Sequence, residues 1–193
     1  MPEKFQNKYR TSSTRLQTWD YGKNAPYFVT ICTQNRECFF GKVIDGEMQL
    51  SEIGEIARKY WLEIPNHFPF VVLDAFVVMP NHVHGIVVIN KPIKNGATIV
   101  ETPNLGVSTR DTNAPNHYHQ TANARKKWKS ASLGAIINQY KRICTIHARK
   151  TIPNFAWQSL YHDHIIRNDD SFQRIRKYIN ENPLKWKEDK FYD

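Results

Sequence analysis

Two apolar runs that almost touch constrain this chain more than any other feature. Phe70 to Met79 is nearly continuous in β-branched, aromatic and aliphatic residues, and His82 to Ile89 resumes the pattern after only Pro80-Asn81. Both runs have the length and composition of buried strands. Proline lacks a backbone donor and breaks the ladder, so Pro80-Asn81 reads as a turn. Strands joined this closely run antiparallel, because a parallel neighbour needs a crossover of a dozen or more residues. The rest of the fold has to be built around this pair.

The remaining segments supply a sheet and its cover. Tyr27 to Thr33 is β-branched and aromatic and predicts a central strand. Phe39 to Leu50 predicts a small hairpin with Asp45-Gly46 at its turn. Ser51 is placed to cap a helix whose apolar positions are Ile53, Ile56, Ala57, Tyr60 and Trp61, ending before Pro65. The helical period returns from Ser130 through Leu133, Ile136, Ile137, Tyr140, Ile143, Cys144 and His147. Phe155 to Tyr161 predicts a last strand. Asn168-Asp169-Asp170 then opens a helix with an apolar stripe of Phe172, Ile175 and Ile179, stopped at Asn182-Pro183. Between these segments, residues 91–128 are polar and aperiodic, and read as a basic, partly disordered surface insertion. The order predicts an α+β fold over a single domain, 1–193: an antiparallel sheet with helices packed on one face, related to the ferredoxin-like arrangement. That arrangement hosts many functions and assigns none.

Charge narrows the choice of partner. Residues 91–150 hold eleven Lys/Arg and two Asp/Glu, while the rest of the chain holds sixteen of each. The whole excess of +9 therefore sits in one third of the sequence. A clustered basic surface favours a polyanion through phosphate contacts and counterion release, although a solvated face has the same composition. No apolar run approaches the roughly 20 residues of a membrane helix. The first residues lack the apolar core of a secretory signal. Three cysteines without zinc spacing argue against a disulfide framework, and a cytoplasmic location is expected.

His-x-His occurs three times, at His82/His84, His117/His119 and His162/His164. Residues i and i+2 of a strand share a face, so two such imidazoles can converge on one ion. His82/His84 open a strongly apolar strand that would hold both rings. His117/His119 fall in the polar stretch, and His162/His164 flank Asp163 near a strand end as a competing pair. Two imidazoles leave a metal site incomplete. Tyr178 and Asn182, four apart, stack on one face of the last helix. There an amide oxygen could ligate and a hydroxyl could act as nucleophile. By spacing alone, satisfied surface histidines, a core tyrosine and a helix-ending asparagine fit better.

A resemblance separates these readings. Asp74-Ala75-Phe76-Val77-Val78-Met79-Pro80-Asn81-His82-Val83-His84-Gly85-Ile86-Val87-Val88 resembles the His–hydrophobic–His segment of single-tyrosine transposases. Tyr178-Ile179-Asn180-Glu181-Asn182-Pro183-Leu184-Lys185-Trp186 resembles the tyrosine helix of one branch, the REP-associated tyrosine transposases. Arg15 to Tyr21, Tyr27 to Thr33 and Trp157 to Arg167 also look familial, so the likeness covers most of the chain outside residues 91–128. It implies Tyr178 as nucleophile and His82, His84 and Asn182 as ligands of Mg²⁺ or Mn²⁺. It further implies single-stranded DNA, in the form of palindromic repeat hairpins, as substrate, cut through a 5′-phosphotyrosine with release of a 3′-hydroxyl. Insertion-sequence relatives commonly carry Gln at the position of Asn182, and Asn reaches less far.

Arg125, Lys126, Lys127, Lys129, Lys141 and Arg142 are the candidate phosphate contacts, and Arg10 and Arg15 the candidate readers of a DNA flank. Monomer and homodimer both fit. A non-catalytic single-stranded DNA or RNA-binding module explains the charge and the sheet. It does not explain the histidine strand together with the tyrosine helix. A phosphodiesterase using water as nucleophile is the third possibility.

Overall fold

A computed structural model of the protein describes residues 16, 18–92 and 131–192, and the backbone of residues 4, 5, 8 and 9. In chain order the elements are β1 (Lys4–Phe5), β2 (Lys8–Tyr9), β3 (Ala25–Cys32), β4 (Gly41–Ile44), β5 (Glu47–Leu50), α1 (Glu52–Leu62), α2 (Ile64–His67), β6 (Val71–Met79), β7 (His82–Ile89), α3 (Leu133–Ala148), β8 (His162–Ile165) and α4 (Asp169–Glu181). The two apolar runs are β6 and β7, paired antiparallel with Met79 opposite His82 across the Pro80-Asn81 turn. β3 pairs antiparallel with β7 over its whole length and with β8 on its other side. The central sheet has the order β6-β7-β3-β8. The expected α+β architecture with an antiparallel sheet is present, and β3 is interior as its composition predicts, but the helices are not all on one face, because the apolar stripe of α4 packs on Ile86 on the side opposite α1 and α3.

Alternation along each strand divides the core. Tyr27, Val29 and Ile31 on β3, and Val83 and Val87 on β7, join Trp61 of α1 and Ile136, Ile137 and Tyr140 of α3 in the main cluster. Each of these side chains, fully removed from water, contributes on the order of 2 kcal/mol before its entropy cost. The opposite face carries Ile86, which is buried with Phe172 and Ile179 of α4. Two helices therefore cover one face, and α4 lies against the other. That division sets His82 and His84 towards α4.

Local chemistry starts the helices where the sequence predicts. Ser51 accepts from the Gly54 N–H at 3.1 Å, and Asn168 accepts from the Ser171 N–H at 2.9 Å. Asp45 and Gly46 both take positive φ at the β4–β5 turn, the conformation a two-residue hairpin needs.

One predicted strand is absent. Phe155 to Tyr161 makes a single bridge, Thr33 with Trp157, and the last strand is β8 instead. β8 occupies the ladder edge of β3, and the preceding segment is held by other groups. Phe155 is fully buried, the Trp157 indole N–H donates to the Lys141 carbonyl at 3.2 Å, and the Gln158 carbonyl accepts from Lys141 Nζ. The stretch expected to be an insertion lies outside the described residues from residue 93 onward. Among the described residues no helix is long and apolar enough to cross a membrane.

Gly85 ties the two layers together. A Cβ built there would lie 2.2 Å from the Trp61 ring, so α1 packs directly on the β7 backbone between His84 and Ile86. Gly85→Ala should destabilise the protein by about 1–3 kcal/mol through overpacking. Urea unfolding should show a lower midpoint at unchanged slope.

Candidate active site

The ladder register builds the site. Thr30 stands opposite His84 and Cys32 opposite His82, so these side chains share the face that α4 covers. Phe172 and Ile179 anchor α4 on that face. Tyr178, beside Ile179, is thereby carried over the histidines, and Asn182, one turn further on, caps the helix next to them. The structure brings together all four residues predicted for catalysis and metal binding.

The His82 and His84 rings are 4.3 Å apart, centre to centre. Each is oriented by a neighbour on its Nδ1. His84 Nδ1 lies 2.9 Å from the Thr30 hydroxyl, and His82 Nδ1 lies 2.9 Å from Asn81 Oδ1. The Asn81 amide in turn donates to the Phe191 carbonyl at 2.8 Å. These contacts leave the two Nε2 atoms for other work. His84 Nε2 is 3.1 Å from the Tyr178 hydroxyl, while His82 Nε2 is buried with no hydrogen-bond partner.

Asp189 completes the cluster, and sequence reasoning missed it. It follows the Trp186–Glu188 turn, beyond the helix, where neither period nor spacing marks it. The Tyr178 hydroxyl donates to Asp189 Oδ2 at 3.2 Å, and the Asn182 amide donates to the same oxygen at 2.8 Å. Among the described residues, His82, His84 and Asp189 form a group whose ligand atoms all lie within 4.8 Å of one another. Asn182 Oδ1 is a second buried oxygen or nitrogen without a partner. An unsatisfied buried polar atom costs roughly 1–3 kcal/mol. Two such atoms, one on an imidazole and one on an amide, beside a second imidazole and a carboxylate fit a divalent cation, for which they are the right donor types.

Electrostatics agree with that fit. Burial, reinforced by Lys190 and Arg36, pushes the His82 imidazole down to about 3. Burial and then the neighbouring His82 hold His84 well below its ordinary range. Both rings are therefore neutral at pH 7, the state that ligates. Tyr178 is pushed up to about 12, first by burial and then by the charge and hydrogen bond of Asp189. Its hydroxyl stays protonated unless positive charge is brought to it. Phe191 and Trp186 cover the histidines, whereas Tyr178 is 39% exposed and open to solvent.

The other predicted residues divide by position. Lys141 is half-buried with its ammonium on the Gln158 carbonyl at 2.5 Å, and Arg142 is exposed on α3. Arg10, Arg15, Arg125, Lys126, Lys127 and Lys129 lie outside the described residues, as do His117 and His119. His162 and His164 sit on β8, on the same face as His82 and His84, but do not join the three-residue metal group.

Comparison with known proteins adds a relative and a fold. No family model matches the chain. An uncharacterized protein of Haemophilus influenzae is 38% identical over 181 residues, covering 93% of this chain and 92% of the relative. Among solved structures, a REP-associated tyrosine transposase bound to a REP hairpin superposes with a TM-score of 0.57 at 19% identity, over 91% of this chain and 74% of that one. A Deinococcus radiodurans structure overlaps 87% of this chain and 96% of its own at 14% identity; its TM-score of 0.43 is too low to bear on the site.

The depressed His82 has a consequence for stability. Its value is about 3 folded and 6.5 ordinarily, so below 6.5 the unfolded chain binds the extra proton. Its contribution is complete above pH 6.5 and is lost progressively as pH falls towards 3. At pH 4.5 the metal-free protein should be less stable by on the order of 2 kcal/mol from this group alone. Denaturant titrations at pH 7 and 4.5 should show that loss, and it should shrink in His82→Gln.

Proposed function

The chain belongs to one family with the Haemophilus influenzae protein and has the fold of a REP-associated tyrosine transposase, and from this premise we propose that it is a metal-dependent nuclease and strand transferase acting on single-stranded DNA through Tyr178. One observation carries the reading. The Tyr178 hydroxyl is within hydrogen-bond reach of both His84 Nε2 and Asp189 Oδ2, beside two buried polar atoms that lack partners. A tyrosine that served only to pack would not need this company.

In the proposed reaction, Tyr178 Oη forms a bond to phosphorus and the bond to the 3′-oxygen breaks. The phenol proton passes to water, and the departing 3′-oxygen takes a proton from water. The products are a 5′-phosphotyrosine and a free 3′-hydroxyl, and attack by another 3′-hydroxyl rejoins the strand. His82, His84 and Asp189 would hold Mg²⁺ or Mn²⁺, with Asn182 Oδ1 as a further ligand. A bound cation would polarise the phosphate and favour the phenolate. Thr30 and Asn81 hold both imidazoles by Nδ1, so that each Nε2 would be left to ligate an ion. The substrate class, palindromic hairpin DNA, follows the family resemblance and the neighbour seen with a REP hairpin.

The test is a labelled single-stranded hairpin incubated with the protein and Mn²⁺, followed by a denaturing gel. Wild type should give a covalent adduct, and Tyr178→Phe none, with folding intact because Phe is nearly volume-conserving. Tyr161→Phe should still form it. Asp189→Asn should weaken Mn²⁺ binding, because it removes the charged oxygen from the ligand set. An adduct that survives Tyr178→Phe would overturn the assignment. DNA binding without any wild-type adduct would return the protein to the non-catalytic reading.

A further inference from the structure

The face that carries His82 and His84 continues onto β8, and the proposed cleavage leaves that part unused. His162 stands opposite Thr30, which stands opposite His84, so the three form one row across the sheet. Strand spacing puts His162 about 10 Å from His84. Between this row and the C-terminal segment lies a cavity of about 350 Å³, lined by Thr30, Gln158, Leu160, His162 and Phe191 among others.

The cavity shares two walls with the site. Thr30 orients His84 through its hydroxyl, and the Phe191 ring lies 4.6 Å from that of His82. Its other walls are mostly uncharged, with Cys32, Tyr161 and one acid, Asp163, completing the lining. His162 offers an exposed ring, Phe191 forms a largely buried apolar wall, and Leu160 leaves an apolar side chain 55% exposed. Gln158 has its backbone engaged, the N–H with the Cys32 carbonyl and the carbonyl with Lys141. Its carboxamide is the group left to offer, as both donor and acceptor. Two cations lie close to the Phe191 ring. Lys190 Nζ is 4.8 Å from the Phe191 ring centre, and the Arg36 guanidinium is 5.4 Å from it, anchored on the Lys190 carbonyl at 3.2 Å.

We propose that this cavity holds the unstacked base of the nucleotide adjoining the phosphate that Tyr178 attacks. The base lies against Phe191 and Leu160, Gln158 meets its edge, and Lys190 and Arg36 meet its phosphate. The inference rests on the nuclease reading and adds a subsite to it. Three features select this occupant. The cavity is near the lower end of the volumes that ligand sites show, roughly 300–1,000 Å³, which suits one nucleotide and not a stacked run. Its walls combine ring faces and an amide with nearby cations, the combination that holds single-stranded nucleic acid. It shares Thr30 and Phe191 with the surroundings of the histidines, which places it beside the nucleophile's site.

The test uses the full chain without metal. Single-stranded oligonucleotides carry 5-iododeoxyuridine at one position at a time across the cleavage point and are irradiated with the protein. The crosslinked peptides are then mapped by mass spectrometry. A crosslink within residues 157–162 or at Phe191, arising only from the position next to the cleaved phosphate, is the expected result. Leu160→Ala and Gln158→Ala, both exposed and distant from the core, should each weaken oligonucleotide binding, by roughly tenfold for Leu160, whose apolar side chain the base would cover. Crosslinks confined to other peptides, from a protein that still forms the tyrosine adduct, would overturn the subsite and leave the nuclease reading standing. A wild-type protein that neither binds single-stranded DNA nor forms an adduct would remove both.

Discussion

The antiparallel pairing of β7 between β6 and β3 is the constraint on which the site depends. It fixes which face each residue of His82–Ile89 presents, and a slip of one residue would turn both histidines into the main core. The register is pinned from both sides. Val83 and Val87 are buried with α1 and α3, and Trp61 fits against the backbone of Gly85 where no side chain could stand. On the other side Ile86 is held by Phe172 and Ile179. Hydrophobic packing therefore decides where the polar groups point.

Those polar groups are left in a condition that packing alone does not explain. Two neutral imidazoles, a carboxylate and an amide are gathered in a largely buried space, and two of their atoms have no partner. Burial raises Tyr178 and lowers His82, so each is pushed towards its uncharged form, and Asp189 is the acid that faces them. The arrangement is stable in the sheet because Thr30 and Asn81 each satisfy one nitrogen of a ring, leaving only the atoms that would face an ion.

Much of this was legible from the residues. The near-contact of two apolar runs predicts β6 and β7, and a two-residue alternation places His82 and His84 on one face. A four-residue spacing on a capped helix does the same for Tyr178 and Asn182. These are short-range regularities, and each depends on one element's own period. What was not legible depends on contacts between elements. Asp189 comes from an irregular segment with no period to reveal it, and its role is set by where Trp186 and Phe191 pack. Phe155 to Tyr161 has strand composition, yet the edge of β3 is taken by the polar His162–Ile165. Side-chain propensity could not anticipate a ladder position won by a segment containing two histidines and an aspartate. The position of α4 on the face opposite α1 and α3 was likewise decided by packing.

The central claim is that the ladder aims both Nε2 atoms at one ion. Anomalous diffraction from crystals soaked in Mn²⁺ tests it most directly. The account predicts a single strong peak within coordination distance of His82 Nε2 and His84 Nε2, with oxygen from Asp189 or Asn182 beside it. No peak between the two histidines, or a peak held by His162 and His164 instead, would contradict it.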